Sequence, residues 1–346
     1  MKRLQWPSRL PIDPYILLLL GTVGVAALLP ARGTAADVAS GASTAAIALL
    51  FFLYGVRLST RDALNGLKHW RLHVTVLACT FVIFPLLGLA ARALEPVFLT
   101  HSLYTGLLFL TLVPSTIQSS IAFTSMARGN VPAAICAGSF SSLAGIVITP
   151  LLAASLLGSS AGGFAADSLV EIVLQLLVPF AAGQIARRWI GGFIARHRKV
   201  VGLVDRGSIL LVVYVAFSEG MVRGIWHQVS PVRLGGLLVV EAVLLAVMLA
   251  LTWYGGKVLR FSREDRIALQ FAGSKKSLAS GLPMASVLFG AQASLAVLPL
   301  MLFHQMQLMV CAVIAKRRSH DPVEPELTQE RDEAIRTAVG TGTRSG

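Results

Sequence analysis

The sequence predicts an all-α polytopic membrane protein of ten transmembrane helices, laid out as two inverted five-helix repeats in which helices 4 and 9 are broken. Three observations predict it. Hydrophobic residues make up 55% of the chain and charged residues only 14%, with mean hydropathy +0.72, where a soluble domain carries about 25% charged residues. Lysine and arginine crowd into alternate loops. Two apolar stretches are interrupted mid-course by polar residues, and each is the fourth of five spans. No stretch alternates with period two over barrel-strand lengths, which excludes an outer-membrane barrel.

Taken in order, residues 1–14 form a short N-terminal segment. Met1-Lys2-Arg3 ahead of the apolar run 16–29 reads either as an uncleaved first span or as a signal peptide with Ala35-Ala36 at its cleavage site. Hydropathy and breakers then place span 1 at 15–30, closed by Pro30, span 2 at 38–56, and span 3 at 72–94 with Pro85 inside it. Span 4 occupies 103–127 and span 5 occupies 131–157, where Pro150 is a point of kinking. These five make the first repeat, 15–157. The second, 158–315, holds span 6 at 169–186 with Pro179, span 7 at 207–222, span 8 at 234–256, span 9 at 267–289 and span 10 at 292–315. Residues 316–346 form a polar tail with the composition of disorder and a short helix near 329–336.

The charges test this count. With the N-terminus inside, the inner segments hold 21 lysines and arginines, including Arg57, Arg61, Lys68 and Arg71 in one loop and Arg187, Arg188, Arg196, Arg198, Lys199 and Arg206 in another. The outer loops hold only Arg32, Arg92, Arg223 and Arg233. That asymmetry puts both termini in the cytoplasm and the chain in the inner (plasma) membrane. It also accounts for the net charge of +13 without nucleic acid as a partner; the expected partners are membrane lipids and a small solute. The oligomeric state is not legible. Cys79, Cys136 and Cys311 lie in apolar spans without ligand-like spacing and read as small core residues.

Span 4 opens with eleven apolar residues, 103–113, then runs into Pro114-Ser115-Thr116-Ile117-Gln118-Ser119-Ser120 before a second half-helix at 121–127 and a turn at Arg128-Gly129-Asn130. Proline removes a donor and turns the preceding residue away from helix, and a break at mid-depth is tolerated only where protein or water surrounds it. Span 9 repeats the device. A short run, 267–272, meets Gly273-Ser274-Lys275-Lys276-Ser277, and 278–289 resumes. Two lysines inside an apolar span are costly unless hydrated or paired. Five spans per repeat is an odd number, so the two halves must have opposite topology. Spans 2 and 7 share a loose pattern, with Gly55 and Gly220 as close-packing positions.

Arg128-Gly129-Asn130-Val131 follows the Pro-Ser-Thr break. After it comes a small, hydroxyl-rich span ending Thr149-Pro150-Leu151-Leu152. Together with Phe81-Val82-Ile83-Phe84-Pro85-Leu86-Leu87 in span 3, these motifs resemble the bile acid:sodium symporter family over roughly residues 13–316. The two broken motifs resemble its sodium/bile acid cotransporter 7 branch and bacterial relatives. The resemblance implies a core and a panel domain, crossing helices 4 and 9 that bind sodium, and an organic anion held between the domains. It also requires the uncleaved first span. On that pattern Ser120, Thr124 and Ser139 fall at or near the hydroxyl ligands of a first sodium site. Ile121 stands where the family often has asparagine, and Thr80 where a glutamine supports a second site. Span 9 departs most. Gln270 or Phe271 replaces the family's glutamate, and Lys275-Lys276 replace its Gln-Asn pair. Loss of the acid and gain of ammonium groups repel a sodium ion, while a buried lysine can itself occupy a cation's place among hydroxyls and carbonyls.

The expectation is a secondary active transporter moving an organic anion by alternating access, with sodium or a proton as coupling ion and no other cofactor. Its candidate binding residues are Ser115, Thr116, Gln118, Ser119, Ser120, Thr124, Ser139, Gln270, Ser274, Lys275, Lys276 and Ser277. Glu171, Glu219 and Glu241 are candidate charge partners for a buried lysine, and His304 with Gln305 and Gln307 on span 10 reads as packing. Two alternatives stand beside it: a sodium-independent or proton-coupled carrier using a buried lysine, and a membrane regulator of ion homeostasis without transport. Enzyme motifs are absent, including H-E-x-x-H, G-x-S-x-G and the Walker loop. Ser274 and Lys275 as helix neighbours cannot face each other as a dyad.

Overall fold

The structure, a computed structural model, describes residues 14–57, 69–95, 97–157, 166–222, 224, 230–290 and 293–320. Every regular element among them is helical. The first is α1 (Pro14–Leu28), which ends just ahead of Pro30, followed by α2 (Thr34–Arg57). Next comes α3 (Trp70–Leu94), which passes through a π turn at Cys79–Ile83. Predicted span 4 is two helices, α4 (His101–Leu112) and α5 (Gln118–Met126). Then follow α6 (Val131–Leu157), α7 (Ala166–Arg196), α8 (Arg198–Val222) and α9 (Pro231–Val258). Predicted span 9 is likewise two helices, α10 (Arg263–Gly273) and α11 (Leu278–Phe289), before α12 (Ala293–Arg318).

Among the described residues six helices are long and apolar enough to cross a bilayer on their own: α2, α3, α6, α8 from Lys199, α9 and α12. The protein is therefore a polytopic membrane protein. Large apolar side chains such as Leu18, Leu86, Val239 and Val243 point outward, as lipid-facing residues do. Predicted spans 1, 4 and 9 correspond to shorter helices and span 6 to α7. Both breaks fall where the sequence places them.

Three local expectations change. The cytoplasmic connection expected at 187–206 is nearly all helix, because α7 runs on to Arg196 and α8 begins at Arg198. Hydropathy marks only the apolar part of a helix, and arginine-rich turns continue it into water. Pro150 and Pro179 sit inside unbroken helices, since neighbouring groups re-satisfy freed carbonyls in membrane helices. The second half of span 4 starts at Gln118 rather than 121, because the N–H groups of a helix's first turn have no intrahelical acceptors and polar residues are readily taken there. The segment 1–13, most of the tail and its helix near 329–336 lie outside the described residues.

The helices sort into two groups by packing. In one, α2 packs against α7 and α8, and α1 against α8. Gly55 and Gly183 make this possible: a Cβ on Gly55 would stand 2.1 Å from the Phe180 carbonyl, and one on Gly183 2.1 Å from that of Phe52. An ion pair from Arg57 to Asp205 ties the C-terminal end of α2 to α8, and the Tyr214 hydroxyl donates to the Leu29 carbonyl at 2.9 Å. The second group gathers α3, α4, α5, α6, α9, α10, α11 and α12 around the two breaks.

Candidate functional site

The site begins with carbonyls that lose their helical donors. Pro114 forces Val113 into extended backbone (φ −72°, ψ 154°) and ends α4. Four successive carbonyls are thereby freed, and each finds a partner from another helix. Thr111 and Val113 accept from the Lys276 ammonium at 2.7 and 2.9 Å. Leu112 accepts from the Thr149 hydroxyl at 2.8 Å, and Pro114 from the Ser277 N–H at 2.8 Å. The Ser115 N–H donates to Ser141 Oγ at 2.9 Å.

The second break is served in return by the first. Ser115 Oγ donates to the Ala272 carbonyl at 2.5 Å, and Ser120 Oγ to the Phe271 carbonyl at 2.8 Å. Ser274 Oγ closes on the Gln270 carbonyl of its own helix. Gln307 clamps the middle of the break: its Oε1 accepts from the Lys276 N–H at 2.9 Å and its Nε2 donates to the Lys276 carbonyl at 2.8 Å. Ser277 caps α11 by accepting from the Ser280 N–H. Asn130 fastens the end of span 4 to the start of span 9. Its N–H donates to the Glu264 carbonyl, its Nδ2 to Asp265 Oδ1, and its Oδ1 accepts from Ala133 N at the start of α6. Nearly every buried polar group at the crossing is thus answered within protein, the condition for non-helical backbone at membrane depth.

Both lysines are fully buried, which overrules a snorkelling position at a helix end. They are held differently. Lys276 Nζ donates to the Thr80, Thr111 and Val113 carbonyls at 2.9, 2.7 and 2.9 Å and lies 4.2 Å from the Phe84 ring centroid. Thr80 has a free carbonyl for a local reason. In the π turn the Phe84 N–H bonds back to Cys79, and the next residue, Pro85, has no N–H. Lys275 Nζ has a single hydrogen bond, to Ser119 Oγ at 2.9 Å, and sits 4.3 Å from the Phe123 centroid and 5.9 Å from that of Phe271. A cation over ring faces is attracted by their quadrupoles, yet two of its three protons have no acceptor.

The other sequence candidates divide. Ser115, Ser120, Ser274 and Ser277 are buried and committed to backbone groups. Thr116 is buried, and its carbonyl accepts from Ser120. Gln118 is exposed and Ser119 half-buried at the start of α5, whose N-terminus has no side-chain cap. Gln270 is buried; its Nε2 donates to the Leu249 carbonyl, and its Oε1 has no hydrogen-bond partner. Thr124 is buried with its hydroxyl unpartnered, while Ser139 is half-buried, and none of the described hydrogen bonds joins either to Ser120. Of the expected carboxylate partners, neither Glu219 nor Glu241 forms an ion pair with either lysine among the described residues. Glu241 is fully buried with both oxygens unpartnered, Glu219 is half-buried, and the side chain of Glu171 lies outside the described residues. Among the described residues no ion pair reaches Lys275 or Lys276, because carbonyl dipoles and ring faces take the role expected of an acid. Ser141 is not singled out by the sequence, Thr149 enters only as part of a motif and Gln307 only as packing, although each is a polar residue in an apolar span, the signal that marks such positions.

Comparison with known proteins agrees with this architecture. The model of the SBF-like CPA transporter family matches residues 13–320. An uncharacterised protein of Pseudomonas aeruginosa is 54% identical over 314 residues, covering 90% of this chain and 94% of its own. The Escherichia coli protein named "Putative symporter YfeH" is 46% identical over 320 residues, 92% of this chain and 96% of its own. The sodium/bile acid cotransporter 7 of Xenopus tropicalis is 28% identical over 275 residues, 78% and 80% respectively. The resemblance carried by the two broken motifs therefore stands, and the family is one of transporters, not enzymes. On a match spanning nearly the whole described chain, this protein belongs to the SBF-like CPA transporter family.

Proposed function

We propose that this protein is a secondary active transporter of the inner membrane that moves an anionic organic solute by alternating access. Its ten spans form two inverted repeats, with α1, α2, α7 and α8 as a panel working against a core built on the crossing of spans 4 and 9. The observation that carries the reading is the meeting of Lys275 with the uncapped start of α5. The first N–H groups of that helix have no intrahelical acceptor and carry the positive end of its dipole. With an ammonium that has donors to spare, they make a place for a carboxylate or sulfate at the midpoint of the fold. The exposed Gln118 and half-buried Ser119 stand at its entrance. Both termini face the cytoplasm, as the distribution of arginine and lysine requires.

The test uses purified protein in two steps. Organic carboxylates, sulfates and sulfonates are screened for a thermal shift, and those that bind are followed into proteoliposomes under imposed sodium or proton gradients. Lys275→Ala is expected to weaken binding at least tenfold, about 1.4 kcal/mol. Uptake unchanged in the Lys275→Ala, Lys276→Ala double variant overturns the role given to the lysines. A failure of every solute to move under either gradient favours a regulator without transport.

A further inference from the structure

From the surroundings of Lys276 we infer that the Thr80, Thr111 and Val113 carbonyls form a monovalent-cation site whose resident cation is the chain's own ammonium. Three features argue it. The oxygens converge on one point at 2.7–2.9 Å. Each comes from backbone that has lost its helical donor, two at the C-terminal end of α4 and one in the π turn of α3, so the site exists independently of the lysine's own helix. The face of Phe84 closes a further side at 4.2 Å, as aromatic rings do around ammonium groups. Neutral carbonyls, a helix C-terminus and a ring face all favour positive charge and offer nothing to an anion. Lys275 has no such set of oxygens, so the two adjacent lysines do different work: Lys276 fills the site permanently, and Lys275 keeps free donors. The consequence for coupling rests on the transport reading: a covalently held cation does not cross the membrane, so no alkali ion is released from this position during a cycle. The site itself is independent of that reading.

The experiment needs no transported solute. Thermal unfolding in detergent is measured in choline, sodium, potassium and methylammonium chlorides at equal ionic strength, for wild type, Lys276→Ala and Lys276→Gln. Wild type is expected to melt at one temperature in all four. Lys276→Ala empties the site and is expected to gain about 4 °C from potassium, sodium or methylammonium over choline, at ten times the dissociation constant. Lys276→Gln keeps N–H donors on the carbonyls and is expected to be indifferent. If Lys276→Ala can be purified only in a small cation and not in choline, the inference holds; if it can be purified in none, or is unmoved by all of them, the inference fails. A wild-type protein stabilised by sodium or potassium over choline as much as Lys276→Ala is also overturns it, because removing the ammonium would then have opened no site.

Discussion

Replacing Gln307 with leucine removes the one side chain that answers both backbone groups of Lys276. Gln307 is fully buried. Its Oε1 holds the Lys276 N–H at 2.9 Å, and its amide donates to the Lys276 carbonyl and to His304 Nδ1, each at 2.8 Å. Leucine fills similar volume but can neither donate nor accept. It therefore strands the buried Lys276 N–H and leaves its carbonyl with only His304 Nδ1, at 3.5 Å, in a segment that has no helical partner to offer. Each stranded group costs about 1–3 kcal/mol, and with partial relaxation the pair amounts to about 3 kcal/mol. At about 2–4 °C per kcal/mol the melting temperature falls by roughly 6–12 °C. A thiol-reactive dye suits the assay, because Cys79 and Cys311 are buried and Cys136 half-buried until the chain opens. A Gln307→Leu protein melting within 1 °C of wild type would refute the idea that the second break is held in shape by this clamp.

Five further substitutions probe other parts of the fold by the same melt. Gly55→Ala and Gly183→Ala each push a methyl to 2.1 Å from a backbone oxygen across the α2–α7 contact, so the helices must part by about 1 Å at a cost of about 1–3 kcal/mol. Because both open the same seam, the double variant is expected to lose less than the sum; additive losses would show two separate effects. Thr149→Val leaves the Leu112 carbonyl without its donor and should lower stability by about 1 kcal/mol, whereas Thr22→Val on the exposed α1, where the hydroxyl bonds only within its own helix, should change it by under about 0.5 kcal/mol. Equal effects of the two would deny that the Thr149 bond to α4 matters. Glu241→Leu replaces a buried, unpartnered carboxyl and is expected to raise stability by about 1–3 kcal/mol; a marked loss would mean that a partner holds this acid in the folded protein.

Much of the crossing was legible because its causes are local. Pro114 is followed by Ser115-Thr116 and Gln118-Ser119-Ser120, whereas Pro150 and Pro179 sit in apolar helices that continue past them, and Gly273-Ser274-Lys275-Lys276-Ser277 cannot lie in lipid, so both breaks follow from the residues themselves. Burial of the lysines follows too, since apolar sequence continues for half a span on either side. What escaped was partnership. Ser115 and Ser120 look like ligand hydroxyls in isolation, yet they serve the Ala272 and Phe271 carbonyls, more than 150 positions along the chain. The free Thr80 carbonyl depends on a π turn, and the neighbouring Pro85 is only half of its signal. Glutamates were expected beside the ammonium groups because charge pairing is the commoner remedy, and no local pattern shows that freed carbonyls have already supplied one. Gly183 passed unmarked because closeness between α2 and α7 is a property of two helices together.

The exchange of hydroxyls and carbonyls between the two breaks has a mechanical consequence. Interrupted helices invite the idea of hinges, but prising these two apart would strip donors from half a dozen oxygens at once, and Asn130 rivets the end of one to the start of the other besides. The crossing is better suited to serve as a fulcrum than to flex. Any large excursion then belongs to the seams where α8 meets α11 and α12 and where α7 meets α6, and a bridge locking one of those seams should arrest the protein more completely than one placed within the crossing.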